Sequence, residues 1–123
     1  KSVVFGGGQL VFDWDKDAVV NLWGKLSLRQ VGTLIKGASL LINSCSMPIH
    51  MASAMGTPSV VLYGFTDPAR WAPRNKCAIV KTDLPCSPCD GYHGSACRDP
   101  ICMKQMTVPH VYAAVKKMLE NNE

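Results

Sequence analysis

The sequence contains no apolar run that approaches a membrane-spanning helix, which needs about 20 residues. It also has no signal-peptide pattern, because Lys1 leads directly into a short strand-like segment. Internal repeats, low-complexity tracts and flexible linkers are missing as well. We therefore expect neither a membrane span nor a repeat architecture.

A long run of lysine or arginine is likewise absent, although the formal net charge is +4 and the isoelectric point is near 8.8. Proteins that bind nucleic acid over an extended surface concentrate their basic residues in a patch or stripe. This mild, scattered charge therefore predicts no nucleic-acid partner. A small anionic ligand is enough to account for it.

Charged residues are few, at 18%, whereas hydrophobic residues make up 47% of the chain. This balance is ordinary for a protein with a packed core and argues against a disordered chain. With 123 residues, the chain is expected to form a single domain over residues 1–123. Because it begins with Lys1 and not with methionine, we expect a trimmed or excised chain, a fragment of a longer protein.

One segment predicts a strand, a turn, a short helix and a second strand. The apolar runs 40–42 and 59–63 are typical of parallel strands that are covered on both faces. Between them, the Ser46 hydroxyl is placed to cap a helix that begins at Met47 and ends at Gly56. Such a unit directs the N–H groups of its helix start to the carboxyl edge of the sheet, so we predict a nucleotide or phosphate site there.

The remaining segments extend this unit into an α/β fold. Further strands are predicted at 2–5, 18–22 and 78–80, and residues 66–74 are expected to form a loop. The capping box of Ser27 and Gln30 begins a helix over 27–37, whose apolar face comprises Leu28, Val31, Leu34, Ile35 and Ala38. Thr107 is placed to cap a last helix, whose predicted buried stripe comprises Val108, Val111, Val115, Met118 and Leu119. The order of the elements predicts a Rossmann-like parallel sheet with flanking helices.

Residues 84–102 are rich in Cys, Pro, Gly and Asp, and we expect them to form an irregular Cys-rich loop packed on the domain. The thiols of Cys86, Cys89, Cys97 and Cys102 follow the spacing C-x2-C-x7-C-x4-C. This pattern fits a structural zinc ion or an iron–sulfur cluster, with His93 as an alternative ligand. Unliganded thiols are the next interpretation, and two disulfides are disfavoured in a reducing compartment.

Three blocks of sequence occur in order along the chain. They are G-K-L-S-L-R-Q at 24–30, S-M-P-I-H-M-A-S-A-M-G-T-P at 46–58 and Y-G-F-T-D-P-A-R-W at 63–71. Together they resemble the C-terminal part of family 9 glycosyltransferases, the ADP-heptose:lipopolysaccharide heptosyltransferases and their relatives. The resemblance covers most of the chain from about residue 19. It implies the GT-B arrangement, in which two Rossmann-like domains face each other and the C-terminal one binds the nucleotide sugar.

The resemblance implies a binding site for a nucleotide-diphosphate sugar of the ADP-sugar type. Ser46 and the N–H groups of Ser46 and Met47 match the diphosphate-binding turn of the family, and His50 matches the histidine that follows it. Leu26 matches an aliphatic residue that packs on the adenine, and Thr66 lies at a strand exit near the donor. A purely structural interpretation stays open for each: a helix cap for Ser46, a first-turn histidine for His50 and a core position for Leu26.

Two residues depart from the family pattern in this turn. Cys45 stands where an aspartate would hold the sugar hydroxyls, and Met47 stands where a glycine would let the phosphate approach. A thiol replaces a carboxylate acceptor poorly, and a methionine side chain crowds the turn. Arg70 and Arg74 are cations that would compensate the phosphate charge, with solvated loop arginines as the alternative interpretation.

The implied activity is transfer of a sugar from an ADP-sugar-like donor to a lipopolysaccharide or other glycan acceptor, without a required cofactor. The acceptor side and the general base would come from an N-terminal domain, so we expect no turnover by this chain alone. A cytoplasmic location is expected, peripheral at the inner membrane in the full-length protein. The alternative is a degenerate Rossmann-like binding or interaction module without transferase activity. In one form of this alternative, a bound metal ion stabilises the module.

Overall fold

The computed structural model describes residues 1–9, 15–89 and 97–121. Its elements in chain order are β1 (Ser2–Val4), β2 (Val19–Asn21), α1 (Leu28–Gly37), β3 (Leu41–Ser44), α2 (Met47–Met55), β4 (Ser59–Tyr63), α3 (Pro68–Trp71), β5 (Cys77–Lys81), α4 (Ile101–Lys104) and α5 (Val108–Glu120). Every strand pair is parallel, which confirms the predicted α/β class with flanking helices. None of the helices in the described ranges has the length and hydrophobicity needed to cross a bilayer.

The chain divides into two compact units, residues 1–34 and 35–123. The strands form two sheets, one of β1 and β2 and one with the order β3-β4-β5. The strands predicted from the sequence are therefore present, but among the described residues they do not join into one sheet. A single domain over residues 1–123 stays a prediction, because compact units within a small chain are not in themselves separate domains.

The first unit contains the parallel pair of β1 and β2, with Ser2 opposite Val19. Beyond the strands, the Gly24 N–H donates to the Gly6 carbonyl at 2.8 Å and continues the pairing. The indole of Trp23 lies on Gly6, where a Cβ would come within 2.5 Å of the ring. Only glycine fits beneath this ring, so Gly6 serves packing within the unit.

The predicted capping box is present at the start of α1. The Ser27 N–H donates to Gln30 Oε1 at 2.8 Å, and the Gln30 N–H donates to Ser27 Oγ at 3.3 Å. The predicted apolar face is buried only farther along, because Ile35 is 1% exposed whereas Leu28 is 63% exposed. The helix start was therefore predicted correctly, and the burial of its first residue was not.

The second unit is built on β4, which lies between the two other strands of its sheet. Four of the five residues of β4 are buried. Helix α2 contacts β3 and β4, while α5 contacts β4 and β5. The buried hydrophobic residues of the described chain are Ile35, Leu41, Ile49, Ala52, Val60, Val61, Tyr63, Val80 and Cys102. The core thus centres on the middle strand.

The two outer strands are covered less completely than predicted. Ile42 of β3 is 49% exposed, although its apolar run predicted a strand covered on both faces. Ile79 of β5 is 46% exposed. Both residues lie on the outer strands of a three-stranded sheet, and each of these strands has one neighbouring strand among the described residues. Of the three strands in this sheet, β4 is therefore the one that is buried on both faces.

Helix α5 is present as predicted, but its apolar stripe is not fully buried. Val111, Val115 and Met118 are partly buried, whereas Val108 is exposed by 81% and Leu119 by 40%. The Thr107 side chain makes no capping hydrogen bond. The predicted burial of Val108 is wrong, because this residue occupies the exposed first position of the helix.

Two short helices were not predicted. The expected loop at 66–74 contains α3, where Asp67 Oδ1 accepts a hydrogen bond from the Ala69 N–H at 2.9 Å and Pro68 occupies the first turn. Helix α4 begins near the end of the Cys-rich segment. An aspartate cap followed by proline is a recognised helix start, but one turn is too short for a periodic apolar pattern to reveal.

Candidate functional site

The turn between β3 and α2 is held by local hydrogen bonds. Asn43 Nδ2 donates to Ser46 Oγ at 3.2 Å, and Asn43 Oδ1 accepts from the Ser44 N–H at 3.0 Å. Ser46 Oγ donates to the Ser44 carbonyl at 3.4 Å and makes no capping hydrogen bond to α2. The predicted hydroxyl cap is therefore wrong, because the side chain is engaged by the preceding turn.

The start of α2 still offers backbone donors. Pro48 has no N–H, and the Ile49 N–H already donates to the Ser46 carbonyl at 3.2 Å. The N–H groups of Ser46 and Met47 make no hydrogen bond within the described residues. Both residues are exposed. Two amides at the positive end of the helix dipole are thus open to an anion from solvent.

An aromatic and cationic cluster lies beside this helix start, formed by His50, Trp71 and Arg70. The His50 and Trp71 rings meet edge to face, with centroids 6.4 Å apart. The Arg70 guanidinium carbon lies 5.3 Å from the centroid of the Trp71 ring, within the range of a cation–π contact. All three residues are exposed. Since Arg70 has no ion pair among the described residues, its charge is open to a ligand.

Hydrogen bonds from α2 hold the segment that carries this cluster. Ser53 Oγ donates to Asn75 Oδ1 at 2.8 Å, and Asn75 Nδ2 donates to the Ser53 carbonyl at 3.0 Å. Together with the contact between His50 and Trp71, these bonds link residues 71–75 to α2 at two points one helical turn apart. The segment 71–75, which begins with Trp71, is therefore attached to α2 at both of its ends.

Gly64 and Phe65 form the exit of β4, and they pack between the Cys-rich segment and α4. The Gly64 carbonyl accepts from Ser87 Oγ at 2.7 Å, and the Phe65 carbonyl accepts from the Cys89 N–H at 2.9 Å. On the other side, a Cβ on Gly64 would lie 2.6 Å from Met103 Sδ. The half-buried Thr66 follows directly, so its position depends on this packing.

Behind the turn, the Tyr63 hydroxyl is buried and has no hydrogen-bond partner in the described residues. Burial raises the pKa of Tyr63 far above its usual range, and the nearby Cys45 and Cys77 thiols raise it further. Burial also raises the pKa of the Cys77 thiol, against an opposing hydrogen bond from Ser59. The half-buried Cys45 thus lies near an interior phenol, at the position where the resemblance would place a sugar-binding aspartate.

The structure brings together most of the residues predicted for the donor site. Ser46, Met47 and His50 share the start of α2, with Cys45 immediately before it. Thr66 follows the neighbouring strand, and the carboxyl ends of parallel strands meet at one edge. Leu26 is half-buried in the first unit. The binding roles of all six residues stay predictions.

The four-cysteine metal site is not assembled among the described residues. No three His, Cys, Asp or Glu side chains there lie close enough to hold a metal ion, and all four cysteines are described. Cys86 and Cys97 are exposed, whereas Cys102 is buried. His93 lies outside the described residues. A structural zinc ion or iron–sulfur cluster stays a prediction.

Two residues of the site were not singled out from the sequence. Trp71 was assigned to a loop, although the Asp67-Pro68 pair could have indicated the short helix that carries it. Asn43 orders the turn through both ends of its amide. An asparagine at the end of a strand and followed by serines is a recognised turn signal.

Comparisons with known proteins agree on one family. Residues 11–96 match the model of glycosyltransferase family 9 (heptosyltransferase). The lipopolysaccharide core heptosyltransferase OpsX of Haemophilus influenzae is 40% identical over 55 residues, which are 45% of this chain and 16% of that protein. Lipopolysaccharide heptosyltransferase 3 of Escherichia coli is 42% identical with the same coverage. The matched region thus spans 16% of the length of these relatives. No solved structure gives a significant match.

Proposed function

The chain belongs to glycosyltransferase family 9 (heptosyltransferase), and from this premise we propose that it is the nucleotide-sugar-binding half of a glycosyltransferase. The donor is an ADP-sugar-like molecule, bound at the start of α2. The sugar is transferred to a lipopolysaccharide or other glycan acceptor, as the names of the relatives suggest. The acceptor side is supplied by a further domain, because the matched region spans only 16% of these relatives.

One observation carries the proposal: at the same end of α2 lie two amides without a hydrogen bond and a cation without an ion pair among the described residues. The N–H groups of Ser46 and Met47 are available at the helix start. His50 is one turn into that helix, and its ring contacts Trp71, which in turn contacts Arg70. Backbone donors at a helix start together with an arginine are a suitable site for a diphosphate.

This arrangement supports the departure of the leaving group. As the bond between the anomeric carbon and the ADP oxygen breaks, negative charge grows on the diphosphate. The two amides and the Arg70 guanidinium would stabilise that charge. A hydroxyl of the acceptor must lose its proton to attack the anomeric carbon, and the base for this step belongs to the acceptor side. The chain alone is therefore expected to bind ADP without turning over a donor.

Calorimetric titration with ADP tests the site. Arg70→Gln should weaken ADP binding by about tenfold or more, because a charge-assisted hydrogen bond contributes about 1.5–3 kcal/mol. The matched control is Arg74→Gln, since Arg74 is equally exposed but has no ring contact among the described residues. Absence of ADP binding by the unmodified protein, or equal losses for both variants, would contradict the proposal.

A second candidate function is a binding module that has lost sugar transfer. It is supported by Cys45, whose thiol lies near the buried Tyr63 hydroxyl and provides no carboxylate for a sugar. In this case ADP and an ADP-sugar should bind with equal affinity, because the sugar gains no partner. A donor site that engages the sugar should instead bind the ADP-sugar several-fold more tightly than ADP. Parallel titrations of the two ligands separate the candidates.

A further inference from the structure

Cys86 and Cys89 form a C-x2-C pair in a turn at the edge of the candidate site. The Ser87 N–H donates to the Leu84 carbonyl at 3.0 Å, which closes the turn. The Cys89 thiol donates to the Cys86 carbonyl at 3.1 Å. From standard bond lengths, this contact places Cys89 Sγ within about 6 Å of the Cys86 Cα. One cysteine sulfur therefore already touches the main chain of the other.

The exposure of the two cysteines differs in a way that suits stepwise thiol exchange. Cys86 is exposed and accessible to a soluble disulfide, whereas Cys89 is partly buried. Cys102 is less suited as a partner, because it is buried beside Gly64. A C-x2-C pair in an α/β protein is a typical redox motif. The function proposed above makes no use of either thiol.

The turn is connected directly to the exit of β4. Ser87, inside the motif, donates to the Gly64 carbonyl at 2.7 Å, and the Cys89 N–H donates to the Phe65 carbonyl at 2.9 Å. Opposite these bonds, Met103 and Cys102 approach Gly64. The strand exit cannot shift away from the turn without displacing α4. Any change in the shape of the turn must therefore reach Thr66 and the start of α3.

We infer that Cys86 and Cys89 are a reversible dithiol–disulfide site that adjusts the exit of β4, and with it the candidate donor site. The oxidant is a small disulfide of the glutathione type. The Cys86 thiolate attacks one of its sulfurs and releases one thiolate. The Cys89 thiolate then attacks the Cys86 sulfur and releases the second. Two protein thiols become one disulfide, and one glutathione disulfide becomes two glutathione molecules.

The site is tested by equilibrating the protein in glutathione buffers of increasing oxidation, counting the remaining thiols and mapping the linked peptides. The unmodified protein should lose two thiols and contain a peptide linking Cys86 to Cys89. Cys89→Ser should instead retain a mixed disulfide between Cys86 and glutathione, whereas Cys86→Ser, which lacks the exposed thiol that reacts first, should acquire none at Cys89. Cys97→Ser is the matched control, because Cys97 is exposed but lies outside the motif, and it should behave like the unmodified protein. Pairing with Cys97 or Cys102, or retention of a zinc ion that protects all four thiols, would overturn the inference.

A second experiment tests whether oxidation of the turn changes the exit of β4. Amide exchange at residues 64–67 should change by about threefold or more between the reduced and oxidised protein, and should not change in Cys86→Ser. Equal exchange in both states would overturn the inference. ADP titration of both states adds a readout that rests on the proposed function. Failure of ADP to bind in either state would count against that function alone, because thiol counting and exchange need no nucleotide.

Discussion

At the scale of single residues, the site depends on which polar groups are engaged and which are left open. The Ser46 hydroxyl is used by the turn before α2, while the amides of Ser46 and Met47 remain available. Thr57 Oγ1 donates to the Ile35 carbonyl at 2.9 Å and is satisfied inside the core. The Tyr63 hydroxyl is buried and has no hydrogen-bond partner in the part of the chain that the structure describes. This hydroxyl is therefore a candidate source of lost stability.

Tyr63→Phe is expected to stabilise the protein by up to about 1 kcal/mol at pH 8, because it removes a buried polar group that has no partner. The substitution should also change the response to alkaline pH. The pKa of Tyr63 is raised in the folded state. The protonated phenol therefore makes its full contribution to the free energy of unfolding below the unfolded-state pKa of about 10, and this contribution is lost as the pH rises above that value. Between pH 8 and roughly pH 10.5, a range that spans this pKa, Tyr63→Phe should lose less stability than the unmodified protein.

Urea unfolding at the two pH values measures both effects. Tyr112→Phe is the matched control, because Tyr112 is 63% exposed and its hydroxyl is not buried. A destabilising effect of Tyr63→Phe at both pH values would indicate that the hydroxyl has a partner in solution. The interpretation of Tyr63 as an unsatisfied group would then be wrong.

At the scale of elements, two helices begin after a serine, but only one serine acts as a cap. Ser27 and Gln30 exchange hydrogen bonds at the start of α1. Ser46 precedes α2 in extended conformation, with φ −157° and ψ −179°, and its side chain bonds to the preceding turn. At the other end of α2, Gly56 has φ 74° and ends the helix in the left-handed region, as its sequence predicts. The two helix starts can therefore be compared by the same substitution.

Ser27→Ala should destabilise the protein by about 1 kcal/mol, the usual cost of removing a serine cap. Ser46→Ala should cost less than about 0.5 kcal/mol, because its two side-chain hydrogen bonds are exposed to water and neither caps the helix. Urea unfolding of both variants at neutral pH provides the comparison. Equal costs would contradict the assignment of the Ser46 hydroxyl to the turn.

At the scale of the whole molecule, the two units differ in how much they bury. All buried hydrophobic residues of the described chain lie at or after residue 35. In the first unit, Gly32 is the one buried residue among those described. A two-stranded sheet is marginal in stability by itself, whereas β4 lies between two neighbouring strands and is contacted by α2 and α5. The two units should therefore open with different free energies.

Native-state hydrogen exchange should reveal this difference. Amides in the pair of β1 and β2 are expected to exchange at least about tenfold faster than those of β4, since local opening requires little exposure of apolar surface there. The hydrogen bond from the Leu22 N–H to the Val4 carbonyl is a suitable reporter for the first unit. Equal protection in both units would indicate that the chain opens as one cooperative body.

Much of the fold was predictable because local signals agreed with the tertiary structure. The run 59–63 is a strand over the same residues, and the capping box at Ser27 begins a helix at the predicted position. Burial was predicted less well. Ile42, Leu28 and Val108 are apolar and in the correct elements, yet all three are exposed. Their exposure depends on which face another element covers, and no local pattern contains that information.

The features of the candidate site were likewise only partly predictable from the sequence. The turn before Met47, the histidine that follows it and the family of the chain could be identified from the order of residues, since these are local motifs. The meeting of His50, Trp71 and Arg70 could not, because it joins segments about 20 residues apart through the pairing of parallel strands. The engagement of the Ser46 hydroxyl by Asn43 also required the folded turn.

By itself, the sequence determined the class of fold, the order of its main strands and helices and the family, because each of these is encoded in short stretches of neighbouring residues. Only the tertiary structure decided which strands share a sheet, which apolar side chains are covered and which donors remain open at the start of α2. The physical reason is that burial and hydrogen-bond satisfaction depend on distant segments. Those segments become neighbours only when the chain folds.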